Sequence, residues 1–174
     1  MPLAALLRRK SRNAAQALYS AIVAASRAPV FYEDWGVPDT LDGRFELIAL
    51  HAFLALRRLK QSAESAAFAQ ALFDTMFADL DRSLREMGAS DLGVGRQVKT
   101  MAKAFYGRIL AYERGLTGSD SLESALRRNL YGTTTPSAAQ VAAVIGYLRR
   151  QSHALEGAPV ALLLSGELPL AVED

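Results

Sequence analysis

Apolar residues recur along this chain at spacings of three and four, and no stretch shows the alternation of a half-buried strand bounded by turn residues. A first helix is expected from about Ala4 to Arg27, stopped by Pro29, because the residue before a proline is pushed out of the helical region. The segment PVFYEDWGVPDT that follows reads as irregular chain, pinned to the body by Phe31, Tyr32 and Trp35. A second helix starts near Thr40 or Asp42, either of which can accept from the free amides of its first turn. Its centre, FELIALHAFLAL, is apolar on nearly every side. A run of about 12 residues is too short for a bilayer, which needs roughly 20, so it reads as the buried central helix.

The third helix carries a clean stripe of Phe73, Met76, Phe77, Leu80, Leu84 and Met87, with Gly88 as its left-handed stop. A loop, ASDLGVG, precedes a fourth helix whose inward face is Val98, Met101, Phe105, Ile109 and Tyr112, ended by Gly115 and Gly118. A short fifth helix starts at Ser119 or Ser121, with Glu123 placed to complete a capping arrangement. Pro136 opens a sixth, through Val141, Val144, Ile145 and Leu148 to about Ala154, and PVALLLSGELPL adds a turn or two before a frayed end. The expected fold is all-α: a single domain of six to seven packed helices, with residues 1–28 as an N-terminal basic amphipathic helix and 29–174 as the helical domain proper.

Composition narrows the chemistry. The 174 residues contain no cysteine, which excludes disulfides, thiolate metal sites and cysteine nucleophiles, and two histidines, His51 and His153, leave little for zinc chemistry. The formal charge of +2 conceals segregation. Arg8, Arg9, Lys10, Arg12 and Arg27 all precede the first acid, Glu33; residues 61–91 sum to −4 and residues 92–155 to +6. Such asymmetry suggests an anionic partner. The leading helix, acid-free and carrying Leu3, Leu6, Leu7, Leu18, Ile22 and Val23, has the features of an import presequence, an interfacial membrane helix or a packed helix with a basic rim.

No phosphate loop, dinucleotide fingerprint, histidine pair or nucleophile elbow is present. The glycines of LGVGRQVK follow no strand and read as an inter-helix loop. His51, alone in the most apolar helix, reads as a satisfied core histidine, and His153 as a partner of helix-end carbonyls. Asp81 and Arg85 have the favourable i, i+4 order, while Asp74 and Asp81 lie about 10 Å apart, too far to share a proton. On the fourth helix Arg96, Lys99, Lys103 and Tyr106 recur at i, i+3, i+7 and i+10, a cationic stripe able to meet RNA phosphate, lipid headgroups or an acidic protein surface.

Two runs carry a family resemblance over about residues 31–150. The first is FYEDWGVPDTLDGRFELIALHAFLALRRLK, with D-T-x-x-G-R-F-E followed by L-x-L-R-R-L. The second is FAQALFDTMFADLDRSLREMGASDLGVGRQVKTMAKAFYGRILAYERGL. In combination they resemble the ubiquinol–cytochrome c reductase (cytochrome bc1) assembly chaperone family. The family domain here starts after only about thirty residues, as in a bacterial member. The resemblance implies a non-enzymatic assembly factor with no cofactor and no catalytic residues, binding cytochrome b or bc1 assembly intermediates. Mitochondrial members act with a small partner protein near the ribosome making cytochrome b. The location implied is the bacterial cytoplasm against the inner membrane, or the mitochondrial inner membrane in a eukaryote. For that role the expected device is an apolar groove with a cationic rim. Arg96, Lys99, Lys103, Tyr106 and Arg108 are candidates for the rim, contacting acidic loops or anionic lipid, and Phe31, Tyr32 and Trp35 for the groove or its lid. The competing class is an RNA- or ribosome-binding module that uses the basic fourth helix.

Overall fold

In the computed structural model, which describes residues 3–172, the chain forms α1 (Leu3–Ser26), α2 (Pro29–Glu33), α3 (Leu41–Lys60), α4 (Ala66–Glu86), α5 (Asp91–Thr117), α6 (Leu122–Asn129), α7 (Ala138–Gly157) and α8 (Val160–Ser165). No strand occurs among the described residues, as the all-α reading requires. Among the described residues the α-helices number eight because Pro29–Glu33, expected to be irregular, makes a helical turn: the proline that ends α1 also occupies the first helical turn of α2, where a missing N–H costs nothing.

α3 is the central helix. Leu47, Leu50, Phe53, Leu54 and Leu59 on it are all at most 1% exposed, and α1, α4, α5, α7 and α8 pack around it. Its start is fixed by Thr40, whose Oγ1 accepts from the Gly43 amide at 3.2 Å. Gly43 admits no side chain, since a Cβ there would lie 1.9 Å from the Pro38 carbonyl oxygen. Ala15, Leu18, Tyr19 and Ile22 of α1 belong to the same core, while residues 5–10 are exposed. The side chain of Leu3 lies outside the described residues.

Two boundaries and one cap differ from expectation. α5 begins at Asp91, with Ser90 Oγ accepting from the Gly93 amide at 3.2 Å, so LGVG forms its first turns rather than a loop. α6 is capped by Ser121, and Glu123 pairs with Arg127 at 2.9 Å instead of closing a capping box. The complete capping box opens α7, where Ser137 and Gln140 satisfy each other's amides at 3.1 and 3.0 Å; Pro136 lies just outside the helix. Gly88 and Gly118 have the expected positive φ, and Gly115 sits inside α5, pressed against Leu122.

The C-terminal elements close the body. α8 ends at Gly166 (φ +97°), where an added Cβ would lie 2.7 Å from Cβ of Ala17 on α1. Beyond it, the buried Gln151 of α7 treats the tail as a strand would: its Nε2 donates to the Ala171 carbonyl at 3.1 Å and its Oε1 accepts from the Ala171 amide at 2.7 Å. Arg58, at the end of α3, donates to the Leu155 and Ala158 carbonyls at 2.9 Å each, satisfying the C-terminal end of α7.

Candidate functional site

A cleft of about 690 Å³ opens between the second half of α1, α2, the start of α3 and the middle of α4. Val23, Phe45, Ile48, Met76 and Leu80 supply its apolar lining, and Leu41, 52% exposed, stands among them. The charges are of both signs: Arg27 and Arg44 against Glu33, Asp39 and Asp79.

The polar walls are fixed by hydrogen bonds. The Tyr19 hydroxyl donates to Asp79 Oδ2 at 2.8 Å; burial, then this bond, pushes its pKa well above the usual tyrosine range. The Tyr32 hydroxyl donates to the Ser26 carbonyl at 3.1 Å and is likewise raised, chiefly by burial. At the mouth Arg44 donates to Asp39 at 2.7 Å and holds that carboxyl below its ordinary value.

A buried ion pair joins α3 to α5. Glu46, 5% exposed, accepts from Arg108 Nε at 2.6 and 2.8 Å through its two oxygens and pairs with Nη2 as well. Burial pushes the Glu46 carboxyl up, and Arg108 opposes that shift. The guanidinium also lies 5.8 Å from the centre of the Phe45 ring. Arg108, expected on an exposed rim, is therefore turned inward as the counter-ion of a core carboxylate.

A second polar node joins α1, α3 and α7. His51 is fully buried, with Nδ1 2.8 Å from the Leu47 carbonyl and 3.2 Å from Ser26 Oγ, and Nε2 2.7 Å from the Tyr147 hydroxyl. Because Nδ1 faces a carbonyl, it carries the proton, leaving Nε2 to accept from Tyr147. Burial lowers the pKa of this imidazole to about 4. Phe31 packs edge-on against Trp35, His51 and Tyr147 at 5.2–5.5 Å between ring centres. The Trp35 carbonyl accepts from the Tyr131 hydroxyl at 2.7 Å. Of the three aromatic candidates, Phe31 and Trp35 anchor the core and Tyr32 reaches the cleft.

The α5 stripe lies elsewhere. Arg96, Lys99 and Lys103 are exposed, and Tyr106 stacks on Phe73 of α4 at 5.5 Å with 57% of its surface free. None of these four lines the cleft. On α4 two acids are engaged structurally: Asp81 with Arg85 at 2.7 Å as the spacing predicts, and Asp74 with Gln70 at 2.8 Å. His153 is exposed on α7. Among the described residues there is no cluster of three or more His, Cys, Asp or Glu side chains able to hold a metal, and no helix long and apolar enough to cross a membrane.

The chain is thus an all-helical domain with two candidate surfaces, a cleft with fixed walls and a separate cationic face. Comparison with known proteins sharpens the class: residues 33–171 match the family model described as ubiquinol-cytochrome C chaperone, and the chain belongs to that family. It is 28% identical over 173 residues to the ubiquinol-cytochrome-c reductase complex assembly factor 1 of Xenopus laevis, covering 95% of this chain and 86% of that protein. The mouse protein of that name is 26% identical over 91% of this chain, which spans only 55% of its length. The crystal structure of the Cbp3 homolog from Brucella abortus superposes with a TM-score of 0.83 at 35% identity, covering 99% of this chain and 97% of that one.

Several residues that carry the resemblance are joints of the fold: Thr40 caps α3, Gly43 makes room for Pro38, and Glu46 and Arg108 form the buried pair. Sequence reasoning missed the cleft, which four separate elements assemble. The inward turn of Arg108 had a usable signal: it falls three residues after Phe105 and four before Tyr112, both fully buried.

Proposed function

We propose that this protein is a non-enzymatic assembly chaperone of the cytochrome bc1 complex that shelters an apolar segment of cytochrome b in the cleft between α1, α2, α3 and α4. The observation that carries the reading is the cleft itself: about 690 Å³, apolar in its lining, edged by charges of both signs, in a chain of the ubiquinol-cytochrome c chaperone family. An unassembled polytopic membrane protein exposes apolar side chains flanked by charged loops. A lining of Val23, Phe45, Ile48 and Leu80 suits the first, and Arg27, Arg44, Glu33 and Asp39 suit the second. The polar walls, already committed to one another, lose no hydrogen bonds when such a segment enters, so capture costs little reorganisation. Work of this kind places the protein on the membrane face where cytochrome b is inserted.

Deleting the gene in its host should lower cytochrome b and bc1 activity. The reading is lost if both stay unchanged. Leu41→Glu, at an exposed position in the cleft, should fold normally yet restore less bc1 activity than the wild-type gene; full restoration would remove the cleft from the mechanism.

A further inference from the structure

Leu92, Arg96, Lys99, Lys103, Tyr106 and Leu110 follow one another at alternating steps of four and three residues. That is one straight line along the outside of α5, opposite Val94, Phe105 and Tyr112, which are fully buried. The line spans about 27 Å at 1.5 Å per residue. Its apolar members stand in solvent: Leu92 is 84% exposed, Tyr106 57% and Leu110 51%. One exposed leucine needs no explanation, but three large apolar groups interleaved with cations along one helix face are a pattern.

The cations are also unneutralised. Among the described residues, no ion pair involves Arg96, Lys99 or Lys103. Of the acids on α4 and α5, Asp81 and Asp91 pair with Arg85 and Glu113 with Arg57. The excess positive charge of α5 is thus directed outward.

We propose that this face of α5 is a docking surface for an anionic lipid bilayer. Charge complementarity brings Arg96, Lys99 and Lys103 to headgroup phosphates, while Leu92 and Leu110 enter the acyl boundary and Tyr106 sits at the interface, its ring wet at one end. The leucines separate this partner from RNA, since an aliphatic side chain gains from leaving water and gains nothing beside a phosphate chain. The cleft opens on other elements and stays free for a client while the domain rests on the membrane.

The test is co-sedimentation of the full chain with phosphatidylcholine vesicles, with and without phosphatidylglycerol, across a salt series. Binding should require phosphatidylglycerol and weaken as salt rises. Lys99→Gln with Lys103→Gln should reduce it about thirtyfold, and Leu92→Ser with Leu110→Ser about tenfold or more at low salt. All four positions are exposed, and unchanged thermal melting confirms intact folding. Three results overturn the proposal: no preference for anionic vesicles, binding unaffected by the lysine changes, or lysine-dependent binding indifferent to the leucines and matched by a single-stranded RNA oligomer. Leu41→Glu should leave vesicle binding unchanged, so failure here is distinguishable from failure of the cleft.

Discussion

Replacing Arg108 with methionine keeps most of the stem against Phe45 and removes the charge that Glu46 faces. Glu46 is 5% exposed as a residue and the Arg108 side chain 20%, so the pair is largely withdrawn from water. Removing one partner of such a pair costs about 3–5 kcal/mol, most of it the penalty of an uncompensated buried charge. The outer edge of the guanidinium reaches solvent, which sets the expectation at the low end, about 3 kcal/mol. For a domain of this size that is a drop of about 6–12 °C in Tm.

The penalty has a pH signature. Glu46 already titrates above its ordinary value of 4.5 because of burial, with Arg108 pulling it back. Without Arg108 it rises further. A carboxyl whose folded pKa exceeds its unfolded one favours the fold below the unfolded value, and that advantage is lost as pH rises through the folded value. The gap between wild type and Arg108→Met should therefore be widest near neutrality and narrow toward pH 4.5 as Glu46 takes up a proton. Adding Glu46→Gln should recover about 2 kcal/mol of the loss, since an amide can be buried without a counter-ion. Denaturant unfolding of the four proteins of this cycle over a pH series is the assay. Additivity within about 0.5 kcal/mol, or a gap that does not change with pH, would refute the reasoning.

The His51 node predicts the opposite slope. Its folded pKa of about 4 lies below the ordinary 6.5, so the stability it contributes is present above 6.5 and lost as pH falls toward 4, about 3 kcal/mol in all. His51→Gln should flatten that part of the stability–pH curve, and a variant with the wild-type slope would count against the buried neutral imidazole. The glycines make a contrasting pair. Gly43→Ala forces a methyl onto the Pro38 carbonyl and should cost about 1–3 kcal/mol, whereas Gly107→Ala, in the interior of α5 with open space around it, should gain about 0.5–1 kcal/mol; thermal melting separates the two.

Most of the helices were legible because their signals are local. The stripe Phe73 to Leu84 marks α4 and the caps Thr40 and Ser121 open α3 and α6, all within a few residues of where they act. Errors arose where one residue type supports two readings. Pro29 ends one helix and begins another, and the glycines after Ser90 suggest a loop although the serine, followed by Asp91, is a sound helix start. The site was less legible, since its parts are distant in sequence. Arg108 looks like one more surface cation until Glu46, 62 residues earlier, is placed beside it. Tyr19, Tyr32, Phe45 and Leu80 reveal a cleft only once four helices converge. The α5 stripe needed no tertiary information and lies where periodicity put it.

The seam between α1 and α8 bears on how the molecule is made. Gly166 rests on Ala14 and Ala17, and the tail is secured to Gln151 by Ala171, so the first helix and the seventh are each synthesised before the partners that cover them. During translation α1 waits with Leu18 and Ile22, both wholly enclosed in the finished core, lacking part of their cover. These last contacts of α1 and α7 form only after residues 166–171 have been synthesised. A chain interrupted before that point would leave part of the apolar face of α1 uncovered, resembling on a small scale the unassembled segments that the finished protein is proposed to shelter.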